Sequence, residues 1–455
     1  MELNKKVFRE YDIRGIYPTE LNEEFAYLLG KAFGTKLLRL GKNKMIVGYD
    51  NRSSSVSLEE NLVKGLIECG VDVVRLGLVT TPMYYYAWDK LDIKCGIMIT
   101  ASHNPKEYNG FKMSYNGIHN IFGKDVSDLY YIMLNGIFAE GQGKITEENI
   151  KDEYIKMIDN HISMGNNKLR VVYDCGNGTT SIVAKDIFKS TNTIEYIPLF
   201  AESDPTFPNH HPDPCVEENL LYLKNKVKET NADCGIAFDG DGDRIGVIDN
   251  LGNFFESDEY MIAIWRDIYN KVDKKEAFFD VKCSKKLEDE LIKLGIKPVC
   301  VRTGNSYTKK TSYDGNYPFG GEYSGHVYFR DKFIGTDDGI YAGLRFVEIL
   351  SRSQNKASEL LNGINEYYST PEIKIEVKDE KKDYIISRVE EYCKNKKYNY
   401  LTIDGIKVLY EDGFALVRKS NTGPHLTVRF EAKKEEILNL RKEEFINLID
   451  KLKEE

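Results

Sequence analysis

No apolar run in this sequence approaches the ~18 residues that span a membrane, and residues 1–10 are polar, without the apolar stretch of a secretory signal. Cysteine pairs at C-x-x-C spacing are missing too. The eight cysteines (Cys69, Cys95, Cys175, Cys215, Cys234, Cys283, Cys300 and Cys393) are scattered. Most sit in or beside apolar runs, which reads as buried, reduced thiols. Blocks of like charge are also lacking, and the net charge is a modest −9. That balance does not suggest a nucleic-acid partner, while leaving room for a local basic pocket that takes an anion. These absences predict a cytoplasmic protein with neither a membrane nor a nucleic-acid partner.

What is present fits a soluble globular protein. Hydrophobic residues are 41% and charged residues 30% of 455, enough for several cores and too long for one. As a prior, that length suggests about three or four domains. The first segment opens with Phe-Arg-Glu-Tyr-Asp-Ile-Arg-Gly at 8–15, a turn bearing arginines, then an amphipathic helix near 23–40. A buried strand at 45–50, a helix near 58–69 and a strand at 71–76 follow, and this alternation predicts βαβ units on a mostly parallel sheet. The unit returns at 169–174, with Gly176, Asn177 and Gly178 in the turn and a helix over 180–189. It returns again at 277–282, with a helix to Leu294 and a strand at 298–301. A period a little over ~100 residues is too long for a solenoid and suits related α/β domains. The last ~90 residues group their strands (373–377, 400–403, 406–410, 414–417 and 426–431) between helices at 383–394 and 433–453, an α+β pattern. Thr370-Pro371 reads as a linker. The expected domains are 1–150, 151–250, 251–368 and 369–455.

Four stretches could carry chemistry. At 96–105 an apolar run ends in Thr-Ala-Ser-His-Asn-Pro, and Pro105 favours a loop over a helix at Asn104. Ser102 at the mouth of that strand is a candidate nucleophile, or a serine that merely caps a turn. At 235–248 two apolar strands flank Asp239-Gly-Asp241-Gly-Asp243-Arg244. Three carboxylates that close repel unless a cation neutralises them, and all-oxygen ligation suits Mg²⁺ or Ca²⁺. An EF-hand is excluded, because Arg244 and Asn250 stand where it needs Gly and Glu. An acidic hairpin tip is the plainer alternative. Arg244 adds a positive charge able to hold a phosphoryl oxygen.

The third stretch, Gly-Gly-Glu-Tyr-Ser-Gly-His at 320–326, offers donors and acceptors suited to sugar hydroxyls, or is a polar turn before a strand at 327–329. The fourth, Arg-Lys-Ser-Asn-Thr-Gly-Pro at 418–424, is rich in anion donors, or is a solvated basic turn. Lys112 follows the serine loop closely enough to reach it. The pair Asp337-Asp338 reads as turn or helix-cap chemistry. His210-His211 sits in a proline-rich run without ligand spacing and reads as a rigid loop. Side chains adjacent in an extended loop point apart, so His103 is not expected to serve Ser102.

Together these four motifs resemble the α-D-phosphohexomutase family, in its bacterial phosphomannomutase/phosphoglucomutase branch, over nearly the whole chain and in the family's order. The resemblance implies three related α/β domains with mixed sheets plus a C-terminal α+β domain, heart-shaped around a central cleft. It implies that Ser102 carries a phosphoryl group and that Mg²⁺ is held by Asp239, Asp241, Asp243 and a phosphoserine oxygen. Hexose 1-phosphate and 6-phosphate would interconvert through a hexose 1,6-bisphosphate, which also serves as activator. Arg14 and Arg244 would act on the transferring group, with Lys112 and His326 as proton carriers. Glu322 and Ser324 would grip ring hydroxyls. Arg418, Ser420, Asn421 and Thr422 would hold the phosphate that is not reacting, with Tyr11, Lys282 and Asn305 also binding substrate. The partners so implied are small sugar phosphates; oligomeric state is left open, as is mannose against glucose. Phosphoglucosamine mutase, a metal-dependent phosphatase and a non-catalytic sugar-phosphate sensor are the alternatives. One departure stands out: the family's Thr-Gly-His-Ser reads Thr303-Gly304-Asn305-Ser306 here, and Asn cannot exchange a proton near neutral pH.

Overall fold

Local chemistry explains where the first elements begin in the computed structural model, which describes residues 3–420 and 423–455. The Asn22 side chain accepts from the Phe25 amide at 2.9 Å and opens the helix Glu23–Arg39. Glu23 and Glu24 in its first turn, with Lys36 and Arg39 in its last, suit the helix dipole. Its apolar face (Phe25, Leu29, Phe33, Leu37) is buried, and the helix crosses Ser55–Ile67 at Gly30 and Gly65. A Cβ on either glycine would lie 2.2 Å from a carbonyl oxygen of the opposite helix, so only glycine permits this approach.

The chain packs into two compact units. The first is Met1–Ser257 with Asn305–Asn316 and Ser324–Leu360. Its six-stranded sheet runs Ile13–Ile16, Tyr108–Ser114, Gly96–Ile99, Lys44–Tyr49, Asp72–Leu78, Ile145–Glu147. The three pairings from Gly96–Ile99 outward to Ile145–Glu147 are parallel, as the alternating pattern predicts. Tyr108–Ser114 is antiparallel to Gly96–Ile99, because the chain returns through a short loop with no crossover helix, and Ile13–Ile16 is antiparallel to Tyr108–Ser114. A five-stranded sheet runs Phe254–Phe255, Ile245–Asp249, Cys234–Phe238, Leu169–Asp174, Ile194–Leu199 and is mixed in the same way. The helix Gly339–Arg352, buried along nearly its whole length, packs on this second sheet.

The second unit is Asp258–Gly304, Tyr317–Tyr323 and Leu361–Glu455. Here Glu276–Asp280 pairs in parallel with Lys297–Val301 and with Phe319–Gly321. Further on, His425–Ala432 pairs antiparallel with Ile373–Glu376 and Gly413–Lys419, and Ile406–Tyr410 and Tyr400–Leu401 continue the meander. The helices Asp379–Asn395 and Glu435–Glu454 cover one face of it. The sequence of elements is thus α/β repeated, then α+β. Thr370 is tied to the last strand: its amide donates to the Phe430 carbonyl at 2.9 Å, and its hydroxyl accepts from the Phe430 amide at 3.1 Å. All eight cysteines are free thiols, and six are buried. Among the described residues no helix is long and apolar enough to cross a membrane.

Candidate phosphoryl-transfer site

The strand Gly96–Ile99 is buried throughout and stops at Thr100, where its polar continuation turns. The Asn104 amide donates to the Ala101 carbonyl at 2.9 Å and the Ser102 amide to Thr100 Oγ1 at 2.9 Å. Ser102 has φ of 51°, a left-handed conformation that a serine adopts only when its surroundings impose it. This turn corrects the reading of His103. The loop is not extended at Ser102, and His103 Nδ1 lies 3.3 Å from Ser102 Oγ. Burial, then the charges of Arg244 and Arg14, push that imidazole well below its ordinary pKa.

Ser102 Oγ donates to Asp239 Oδ2 at 2.7 Å. The antiparallel pair Cys234–Phe238 and Ile245–Asp249 brings Phe238 opposite Ile245, so residues 239–244 form the hairpin tip. A Cβ on Gly240 would sit 2.5 Å from the Ser102 carbonyl oxygen, so glycine is what lets the two loops touch. Asp239, Asp241 and Asp243 are buried, and each offers an oxygen within 4.8 Å of the others. Lys112 Nζ bridges two of them, 2.7 Å from Asp241 Oδ2 and 2.6 Å from Asp243 Oδ2. Thr81 Oγ1 also donates to Asp241 Oδ2 at 2.6 Å.

The electrostatics divide these groups. Burial, reinforced by Asp241 and Asp243, holds the Asp239 carboxyl well above its ordinary range. Burial also acts on Asp241, but Lys112 outweighs it and drives that carboxyl low. For Lys112 burial favours the neutral amine, and Asp241 with Asp243 overcome it, so the ammonium persists. Arg244, likewise opposed by burial, is held charged by Asp239 and Asp213; its Nε lies 3.6 Å from Asp239 Oδ2. Asp241 Oδ1 and Asp243 Oδ1 are buried without a hydrogen-bond partner. Two orphaned carboxylate oxygens beside a third carboxylate fit a small, hard divalent cation.

A second cluster adjoins the first. Arg244 Nε donates to His326 Nε2 at 3.1 Å, and His326 Nδ1 lies 2.9 Å from Asp337 Oδ2 and 3.5 Å from Asp243 Oδ1. Asn305 Nδ2 lies 3.1 Å from His326 Nδ1 and also contacts Asp337 Oδ2, so this residue sits in the cluster as a hydrogen-bonding group. Lys309 Nζ is 2.7 Å from Asp337 Oδ1. Burial raises Asp337, yet Lys309 and His326 pull its carboxyl far down. The helix-cap reading holds for Asp338, whose Oδ1 accepts from the Tyr341 amide at 2.9 Å. Asp337 instead pairs with Lys309 and His326, partners that no local spacing signals. Arg14 reaches the serine loop from Ile13–Ile16, its Nη1 donating to Asn104 Oδ1 at 2.7 Å and its Nη2 to Asp12 Oδ2 at 2.6 Å. Tyr11 lies in the turn before that strand, and Ser324 two residues before His326.

In the second unit Lys282 Nζ pairs with Glu372 Oε1 at 2.7 Å and lies 4.0 Å from Asp280 Oδ2. Glu322, buried, accepts from the Gly304 amide at 3.1 Å. Arg418 Nε donates to Asp404 Oδ2 at 2.9 Å, and the same oxygen accepts from the Thr303 amide at 3.1 Å. Ser420 Oγ accepts from the Gly423 amide at 3.2 Å. Asn421 and Thr422 lie outside the described residues. Asp404 and Glu372 carry no signal in the sequence, because isolated acids in a loop have no diagnostic spacing.

A serine oxygen held on a buried acidic cluster flanked by a lysine and an arginine is an arrangement that phosphoryl transfer can use. Known proteins resemble this chain over nearly its whole length. The phosphoglucomutase/phosphomannomutase models match in order: α/β/α domain I at 5–136, domain II at 152–252, domain III at 256–368, and the C-terminal domain at 372–448. A phosphomannomutase/phosphoglucomutase of Pseudomonas putida is 41% identical over 430 residues, covering 94% of this chain and 92% of its own. A phosphoglucomutase of Neisseria meningitidis is 37% identical, covering 94% and 93%. A phosphoglucomutase/phosphomannomutase family protein of Burkholderia thailandensis superposes with a TM-score of 0.91 at 34% identity, covering 99% and 98%. The chain belongs to the phosphoglucomutase/phosphomannomutase family.

Proposed function

We propose that this protein is a phosphohexomutase that interconverts the 1- and 6-phosphates of mannose, glucose or both. Ser102 is its phosphoryl carrier, a hexose 1,6-bisphosphate its intermediate and activator, and Mg²⁺ its metal. The observation that carries the reading is Ser102 Oγ resting 2.7 Å from Asp239 within the three-aspartate cluster. Asp239, Asp241, Asp243 and an oxygen on phosphorylated Ser102 would hold the ion, which when bound neutralises charge on the phosphoryl oxygens. Phosphoserine adds roughly −2 beside three carboxylates that Lys112 and Arg244 offset, so a divalent cation would bring the site nearer balance.

In transfer, the bond from Ser102 Oγ to phosphorus breaks as one forms from the sugar hydroxyl oxygen, whose proton must leave. Lys112 is kept protonated by its two carboxylates, so it supplies fixed charge, and we assign the proton to His326. Arg244 and Arg14 are placed to steady the transferring group. Glu322 and Ser324 take ring hydroxyls; Arg418 and Ser420, with Asn421 and Thr422, take the other phosphate; Tyr11, Lys282 and Asn305 complete the binding set.

Intact-mass measurement tests this. The wild-type protein should carry one phosphate that hexose 6-phosphate removes, and Ser102→Ala should carry none and turn over no substrate with Mg²⁺ and a trace of bisphosphate. Binding without Ser102-dependent transfer would instead indicate a sensor, and phosphate release outpacing isomerisation a phosphatase.

A further inference from the structure

We propose that Arg52 is the positioning residue that holds the Ser102 loop in the shape needed for transfer; this rests on Ser102 being the phosphoryl carrier. The Arg52 side chain is buried, and its guanidinium faces the loop's main chain. Nη2 donates to the carbonyls of Ser102 and Asn104 at 2.8 and 2.7 Å, and Nη1 to those of Pro105 and Tyr108 at 2.7 and 3.0 Å. Nε donates to Asp50 Oδ2 at 3.2 Å. The fork thus serves three carbonyls of the loop and that of Tyr108, the first residue of the strand that follows.

This arrangement answers a requirement of the turn. Residues 101–107 belong to neither helix nor strand, and among the described residues no main-chain amide donates to the carbonyls of Ser102 and Asn104, while the Pro105 carbonyl also accepts from the Tyr108 amide at 3.0 Å; buried carbonyls need donors. The Ser102 carbonyl is tied to Arg52 and its amide to Thr100 Oγ1, so both ends of a residue with φ of 51° are pinned. Pinning both ends fixes the direction in which Oγ leaves the backbone, toward Asp239. Arg52 is itself anchored just beyond the strand Lys44–Tyr49, where Asp50 Oδ1 accepts from the Arg52 amide at 3.1 Å and from Ser55 Oγ at 2.7 Å. The Phe207 ring faces the guanidinium at 5.4 Å. A lysine would keep the charge beside Asp50, but a point ammonium cannot reach four carbonyls arranged for a planar fork.

The test compares wild type, Arg52→Lys and Arg52→Ala with Arg75→Lys. Arg75 pairs with Glu59 in the same unit, and its Nε donates to Glu59 Oε1 at 2.7 Å. In the full-length protein, first stripped of any Ser102 phosphate with excess hexose 6-phosphate and then freed of sugar, phosphate uptake on Ser102 from glucose 1,6-bisphosphate with Mg²⁺ is followed by intact mass, alongside kcat, KM and melting temperature. Arg52→Lys should load about 100-fold more slowly, with KM for hexose 1-phosphate changed by less than about threefold. Millimolar guanidinium ion should restore loading of Arg52→Ala by at least about tenfold, because the cavity left accepts the same fork. Arg75→Lys should lose stability while loading at the wild-type rate. Should Arg52→Ala not fold, the kcat–KM split of Arg52→Lys decides. Loading of Arg52→Lys within about threefold of wild type, or losses that follow melting temperature as in Arg75→Lys, would overturn the assignment. A wild-type protein that takes up no phosphate on Ser102 overturns the phosphoserine reading, and this one with it.

Discussion

Asp239 and Asp241 are separated by a single glycine, yet their carboxyls move in opposite directions, one held well above the ordinary range and the other far below. Burial penalises both; Lys112 touches only the second of the pair. That makes Lys112 a counter-ion for the cluster. Lys112→Met should therefore cost about 3–5 kcal/mol of stability, since it leaves buried carboxylates without their cation. Thermal melts should show part of that loss returning on addition of Mg²⁺, and melts that match wild type without the ion would contradict the assignment. Asn305 is informative in the other direction. It contacts His326 and Asp337, so the side chain here serves as a hydrogen-bonding group and cannot exchange a proton near neutral pH.

Among the elements, the helix Gly339–Arg352 shows how a cap can be legible and its consequence hidden. Asp338 is a recognisable N-cap, but burial pushes its carboxyl up to about 7, against the help of the Tyr341 amide and of the Tyr154 hydroxyl at 2.8 Å. With the folded-state pKa above the unfolded one, the native state binds the extra proton. Stability from this group is then complete below about pH 4 and falls as pH rises toward 7, by roughly 1.4 kcal/mol per unit. Asp338→Asn keeps the cap and removes the titration. Denaturant unfolding across pH should show the variant's curve flattened over that window and the variant more stable than wild type at pH 8; parallel curves would count against it. The hairpin carrying 239–244 and the strand feeding Ser102 were both legible, because apolar runs broken by Gly, Asp or Pro are local signals. The antiparallel return of Tyr108–Ser114 was not, since strand direction depends on the path of the intervening chain.

For the whole molecule, the division into two compact units makes a prediction about unfolding. Asp239, Asp241, Asp243 and Ser102 all fall in the first unit. Calorimetry should resolve two transitions, and Mg²⁺ at about 100 times its dissociation constant should stabilise only the one belonging to this unit, by about 2.7 kcal/mol. Asp241→Asn should abolish that shift. A single transition, or an equal shift of both, would argue against it.

The sequence by itself determined the kinds of group present and the elements that bear them: a serine loop after a buried strand, an Asp-Gly hairpin tip, a Gly-Glu-Tyr-Ser-Gly-His turn and the α/β-then-α+β order. Those follow from periodicity and turn chemistry, which act over a few residues. Tertiary structure alone decided the partnerships. Ser102 meets Asp239 across 137 residues, Lys112 meets Asp241 across 129, and Arg52 takes the carbonyl of Ser102 across 50. Charge state and backbone strain depend on burial and on neighbours within a few ångströms. No spacing along the chain encodes these, and two aspartates in one tripeptide are displaced to opposite sides of the ordinary carboxylate range.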